Sequence, residues 1–376
     1  MRNFSYYNPT RILFGAGQIA SLGQLIPADS RLLVTHGGGS ILQNGVWQQV
    51  EQALAGHWLS RFAGIEANPQ YATLLRAVAQ ARREHCDFIL AVGGGSVIDG
   101  SKFIAAALAY PGEPFDLLCG TPIRRAVPLG CVATLASGSA STPHGELCHA
   151  GLQARLGFSS PCLQPRFAIL DPCATFSLPP RQIGNGVVAG FGHVLQQYLA
   201  QSDGCPLQER QAEALLLTLL ELGPRALAEP GDYAVRANLL WCASQALQGL
   251  AGMVAAPDDG LRQLGQALSL LYHLEPAQAL AVLLPAWLDA QRAQRQARLL
   301  QYAERVWSLR LGSAQQRIEA AIAASAGFFK HMGMLTRLSE HGLDAEAIFQ
   351  MLDYLRGQGA QEAALEQHER LLLQAL

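Results

Sequence analysis

The chain reads as an α/β domain built on a parallel sheet, residues 1–180, followed by an all-helical domain, residues 181–376. Three observations predict this. Short β-forming runs alternate with helical stretches through the first half. Each of two Gly-Gly-Gly-Ser turns, Gly37–Ser40 and Gly93–Ser96, directly follows such a run. Beyond Leu178–Arg181 the sequence is rich in Ala, Leu, Gln, Glu and Arg, with apolar residues three and four apart.

Taken in order, the predicted strands are Arg31–Thr35, Asp87–Val92, Val127–Val132 and Phe167–Asp171, with a helix over Tyr71–Glu84 between the first two. In the second half, Leu215–Leu222 and Ala290–Trp307 carry the helical spacing, and Gly223-Pro224 and Pro230-Gly231 read as joints. A cleft between the two domains is the expected place for a ligand.

Half of the 376 residues are hydrophobic and 15% are charged, which supplies a large core and argues against disorder. The net charge is -2 with no basic stripe, so nothing points to nucleic acid. The eight cysteines are scattered without a Cys-x-x-Cys pair, as suits a reducing compartment. Residues 1–7 lack a secretory h-region, and the longest apolar stretch, Ala279–Leu288, contains Pro285 and is too short to span a bilayer. The expected location is cytoplasmic, with no membrane partner.

A glycine turn at the carboxyl edge of a parallel strand lets the backbone approach a phosphate with no Cβ in the way. The second turn opens a helix at Val97–Gly100, whose free N–H groups and dipole favour a pyrophosphate. The run is not Gly-x-Gly-x-x-Gly, and one glycine triplet alone is more often structural. Two of them, each after a strand and one βαβ unit apart, indicate a dinucleotide. An NAD-selective site places a carboxylate at the ribose 2′-hydroxyl, yet Leu32–Gln43 contains no Asp or Glu, so NADP(H) is the expected cofactor.

Blocks along the chain resemble the iron-dependent alcohol dehydrogenases, in their NADPH-dependent aldehyde reductase and butanol dehydrogenase branch. They are Asn8–Gly15, Gly93–Gly100, Asp171-Pro172, Leu178–Arg181 and Leu300–Trp307. The resemblance implies a dehydroquinate synthase-like fold, a homodimer formed through the N-terminal strands, and a helical domain that carries iron or zinc. It assigns Gly38, Gly39 and Ser40 to the adenosine 2′-phosphate, and Gly94, Gly95 and Ser96 to the pyrophosphate. Asp99 and Thr134 would lie on the nicotinamide side, and Arg155 would stand in for a basic residue that helps hold the cofactor. The loop Thr134–Ser141 is one residue shorter than the family pattern, with Ala140 where a Glu is usual.

The family's metal is held by an Asp and a His four apart on one helix and by two later histidines. Positions four apart share a helical face and converge on one ion, which polarises the substrate oxygen during hydride transfer. The register set by Gly265, Leu268, Leu274, Ala277 and Gln278 puts Ala189, His193, Arg262 and Pro276 at those positions, with Gln266 at a nearby non-ligand histidine. Three of four ligands are thus replaced, one by a permanent cation, so no divalent metal is expected there. A site rebuilt from His144, Cys148, His149, Cys131, His273 or Glu275 is the minor alternative.

Arg262 has two readings: it holds a carboxylate or polarises a carbonyl in place of the ion, or it turns to solvent, Asp258 or Asp259. His193 is either a catalytic candidate or an inherited residue hydrogen-bonded in place. The expected function is accordingly an NADP(H)-binding homologue without metal-dependent activity, a pseudoenzyme. The alternative is an active NADPH-dependent alcohol or aldehyde oxidoreductase with a metal-free or rebuilt site, taking a small carbonyl or acidic ligand.

Overall fold

A computed structural model describes residues 3–200, 204–248 and 259–376. These fall into two compact units. One holds Ser5–Leu178 with Pro230–Ser244; the other holds Pro179–Glu229 and Gln245–Leu376 with the first residues of the chain.

The first unit is built on six parallel strands: β1 (Arg11–Phe14), β2 (Arg31–Thr35), β3 (Trp58–Phe62), β4 (Phe88–Gly93), β5 (Leu129–Ala133) and β8 (Phe167–Leu170). Their order across the sheet is β1-β8-β5-β4-β2-β3. Both faces of the sheet are covered, which is why the central strands read as unbroken apolar runs. Along β4, Phe88, Leu90 and Val92 enter one core with Leu32, Val34 and Val50. Ile89 and Ala91 point the other way, into a core with Leu74, Val78, Ile98 and Phe103. The helices Tyr71–Arg83 and Gly95–Ala109 supply that second layer. An antiparallel hairpin, β6 (His144–His149) with β7 (Ala154–Ser159), packs beside the Gly95–Ala109 helix.

Three local expectations are corrected. The helix after the second glycine turn begins at Gly95 instead of Val97. Gly223-Pro224 is no joint, because helix Pro206–Ala228 runs through it, just as Pro276–Ala290 runs through Pro285. Ala290–Trp307 is broken by turns over Gln291–Arg295 before a helix over Gln296–Arg305. Within the sequence's helical half, the start of the helix Tyr233–Gln248 belongs to the sheet unit. There Arg236 donates to the Thr175 carbonyl and hydroxyl, and Trp241 packs edge-on against Phe14.

The second unit is helical. Its helix Pro180–Ala200 is pinned by Phe191, which is fully buried among Trp307, Phe328 and Phe329. A close approach at Gly192, whose added Cβ would run into Leu280, brings it against helix Pro276–Ala290. Among the described residues no helix is long and apolar enough to cross a membrane.

Phe191→Ala empties the centre of this aromatic cluster. The expected cost is about 3–5 kcal/mol, read as a lower urea midpoint by circular dichroism; an unchanged midpoint would show that the cluster does not hold the helix.

Candidate functional site

β2 and β4 are neighbours in the sheet, with Thr35 opposite Ala91. That register sets the two glycine turns side by side at one carboxyl edge, the place where parallel α/β sheets bind ligands. In the first turn Gly39 takes a left-handed φ of 103°, a conformation that favours glycine, and Ser40 opens a short helical turn over Ser40–Gln43. The turn is braced from β3 and beyond: His36 N–H donates to the Phe62 carbonyl and Gly64 N–H to the Gly37 carbonyl. His36 is buried, with Nδ1 3.0 Å from the Gly37 carbonyl oxygen. Burial pushes its pKa down against the pull of the Gly37 carbonyl, and the Arg61 guanidinium nearby adds to the lowering.

The second turn passes from β4 straight into the Gly95–Ala109 helix. A Cβ on Gly94 would come within 2.7 Å of Leu135 Cδ2, and one on Gly95 within 2.8 Å of Ser137 Oγ. The loop after β5 therefore closes onto this turn, and Thr134 N–H donates to the Gly93 carbonyl at 3.1 Å. Ser96 Oγ donates to the Ala67 carbonyl oxygen. Asp99 is four residues on from Gly95 and so lies on the same helical face. Its carboxyl pKa is raised by burial, against the pull of Lys102 and of hydrogen bonding to Ser139. The turns, Ser96, Asp99 and Thr134 are thus all at one edge of one unit. Arg155 lies on the β6–β7 hairpin, which packs against the same helix, and is paired with Glu146 at 2.9 Å.

In the helical unit, the burial of Phe191 turns the opposite side of its helix outward. Ala189 is half-buried and His193 exposed on that side. On helix Asp259–Leu271 the core side is Leu261, Leu264 and Leu268, and Arg262 is exposed, paired with Asp259 at 3.2 Å. Asp258 lies outside the described residues. Pro276 begins its helix at an exposed position. Of these four side chains only the His193 imidazole is a donor for a divalent ion, so this set does not fit one.

The residues considered for a rebuilt site are dispersed. Cys131 is buried within β5, its thiol pushed up to about 12 by burial. His149 stacks on Tyr71 and accepts from the Leu152 N–H. His144 and Cys148 are on a strand, not a helix. Glu275 is engaged by Asn185 at 2.6 Å and Arg181 at 3.4 Å.

One residue at the glycine edge escapes the reading of the sequence. Lys102 is fully buried on the helix of the second turn, its Nζ 2.7 Å from the His144 carbonyl oxygen and 3.7 Å from Asp99 Oδ1. The signal was there: a Lys three residues after Asp99 shares its helical face.

A parallel sheet with covered faces and a ligand edge of two glycine turns defines the class as an α/β fold of the nucleotide-binding kind. Residues 9–172 match the model of the iron-containing alcohol dehydrogenases. Residues 185–366 match that of the family's C-terminal region. The chain belongs to the iron-containing alcohol dehydrogenase family. It is 48% identical over 364 residues to the NADPH-dependent aldehyde reductase YqhD of Escherichia coli, covering 96% of this chain and 94% of that one. A probable NADH-dependent butanol dehydrogenase of Bacillus subtilis is 33% identical over 366 residues, covering 96% and 95%. The crystal structure of E. coli YqhD superposes with a TM-score of 0.95 at 45% identity, covering 100% of this chain and 99% of that one. The NADH-dependent butanol dehydrogenase A of Thermotoga maritima does so with 0.92 at 29% identity, covering 100% and 99%.

Gly38 discriminates a ligand effect from a folding effect, because a Cβ there meets nothing within 4 Å. Gly38→Val is expected to leave the melting temperature unchanged and to weaken NADPH binding about tenfold or more, the equivalent of about 1.4 kcal/mol. Fluorescence titration reads this; wild-type affinity in the variant would remove the first turn from the site.

Proposed function

We propose that the chain binds NADP(H) across its two glycine turns and transfers hydride between that cofactor and a small aldehyde or alcohol, without a divalent metal at the four family positions. The observation that carries this is the side-by-side placement of the turns on β2 and β4. The activity named for the Escherichia coli relative supports it and favours the oxidoreductase reading over that of a pseudoenzyme.

The residues divide the work. Gly38, Gly39 and Ser40 cup the 2′-phosphate, and backbone N–H groups at Gly94, Gly95 and Ser96 meet the pyrophosphate at the helix start. Asp99 and Thr134 border the nicotinamide end. No carboxylate stands between Leu32 and Gln43 to repel the 2′-phosphate, and Arg61 is close enough to act on His36 beside the first turn. Both features favour NADPH over NADH, although the relatives divide between the two. The bound nicotinamide supplies the hydride; the protein holds it and excludes water.

Polarising the carbonyl falls to a charge or a hydrogen-bond donor. His193 and Arg262 are the candidates at the family positions, and Arg262 is paired with Asp259. A second reading, cofactor binding without turnover, is favoured by one specific observation: Ala189, Arg262 and Pro276 bring no metal donor.

Purified protein is assayed for NADPH binding and for NADPH oxidation with a panel of short aldehydes, with and without a chelator. The expected result is binding, with turnover that the chelator leaves unchanged and added zinc or iron does not raise. Turnover abolished by the chelator and restored by metal would contradict the metal-free account. Binding with no turnover on any aldehyde would establish the second reading.

A further inference from the structure

Lys102 has no accessible surface, yet its side chain ends in an amine that burial pushes toward neutrality and Asp99 holds toward the charged form. Its Nζ donates to the His144 carbonyl on β6 at 2.7 Å and lies 3.7 Å from Asp99 Oδ1 one helical turn before it. That Oδ1 is itself buried and has no hydrogen-bond partner, while the Asp99 side chain keeps one-fifth of its surface accessible (20%). The helix and hairpin touch here: a Cβ on Gly145 would come within 3.3 Å of Asp99 Cα. A buried lysine is expensive unless it has a task. Neither phosphate recognition nor hydride transfer uses this one.

We propose that Lys102 is a positioning residue of the dinucleotide site: held by the His144 carbonyl, its ammonium fixes Asp99 as an anionic acceptor facing the nicotinamide end of the bound cofactor. The proposal rests on the NADP(H) reading above. Its physical basis is that burial drives both groups toward their neutral forms, and each opposes that drive in the other. A neutral Asp99 becomes a hydroxyl donor and loses its charge, so the polarity of this wall depends on Lys102. The other groups facing the pair are few. Glu146 on β6 disfavours the Asp99 anion by its charge and favours it through its backbone. The Ser139 side chain favours the anion, and Cys131 on β5 lies beside Lys102. The His144 imidazole has its own pKa lowered by burial and by the Lys102 charge.

The test has two arms. In the ligand-free protein, the carbon-13 carboxyl signal of Asp99, assigned by its loss in Asp99→Asn, is titrated in wild type and in Lys102→Met. Removing a cation at this distance is expected to move the Asp99 midpoint to higher pH by about one to three units. In the second arm, NADPH binding is titrated by fluorescence from pH 5 to 9, where comparison between variants cancels the titration of the 2′-phosphate itself. Lys102→Met is expected to bind about tenfold or more weakly at pH 7 and to recover as pH rises. Asp99→Asn is expected to bind weakly at every pH, and adding Lys102→Met to it to change nothing further. An unmoved Asp99 midpoint overturns the proposal, as does Lys102→Met weakening that is equal at all pH or that adds to Asp99→Asn. Should Lys102→Met not fold, wild-type affinity in Asp99→Asn overturns it alone. Failure of the NADP(H) reading shows separately, as wild-type protein that binds no NADPH whatever the first arm gives.

Discussion

The pairing of β2 with β4 is the constraint on which the rest depends. Parallel strands in register, Thr35 against Ala91, end at the same edge, so the chain leaves the sheet twice within one strand spacing, each time through glycine. A shift of one residue would exchange the two cores, because Phe88, Leu90 and Val92 face one and Ile89 and Ala91 the other. Burial on both faces therefore holds the ligand edge in place, while Gly94 and Gly95 also let the loop after β5 close onto the second turn.

The same burial made much of the fold legible. β2, β4, β5 and β8 are apolar runs bounded by glycine, proline or charge, and their positions match the sequence reading within two residues. β3 escaped because it is an edge strand, where exposed Trp58 and Arg61 break up the apolar run. The β6–β7 hairpin escaped for a related reason. His144, Gly145 and Glu146 carry no apolar alternation, and the hairpin reaches the core mainly through Leu147 and Phe158. The turn at Gly95 joined the helix earlier than expected because glycine's low helix propensity is outweighed by packing against the loop after β5. Tertiary contact likewise carries a helix through Pro224 and Pro285.

The candidate site was legible where it consists of backbone and opaque where it depends on a partner distant in sequence. Glycine turns declare themselves; the His144 carbonyl that receives Lys102 is 42 residues away and on no predicted element. In the helical unit, the phase of Pro180–Ala200 set by Phe191 leaves Ala189 half-buried and His193 exposed, and Arg262 lies beside Asp259. The family to which the chain belongs is named for iron. Ala189, His193, Arg262 and Pro276 bring one imidazole between them, so the edge of the two glycine turns carries the stronger functional argument.

The most direct measurement is a crystal structure of the protein with NADPH. The account predicts the pyrophosphate on the backbone N–H groups of Gly94–Ser96 and the 2′-phosphate within hydrogen-bonding distance of Gly38–Ser40. A dinucleotide bound away from the β2–β4 edge, or lying there with its 2′-phosphate free in solvent, would contradict it.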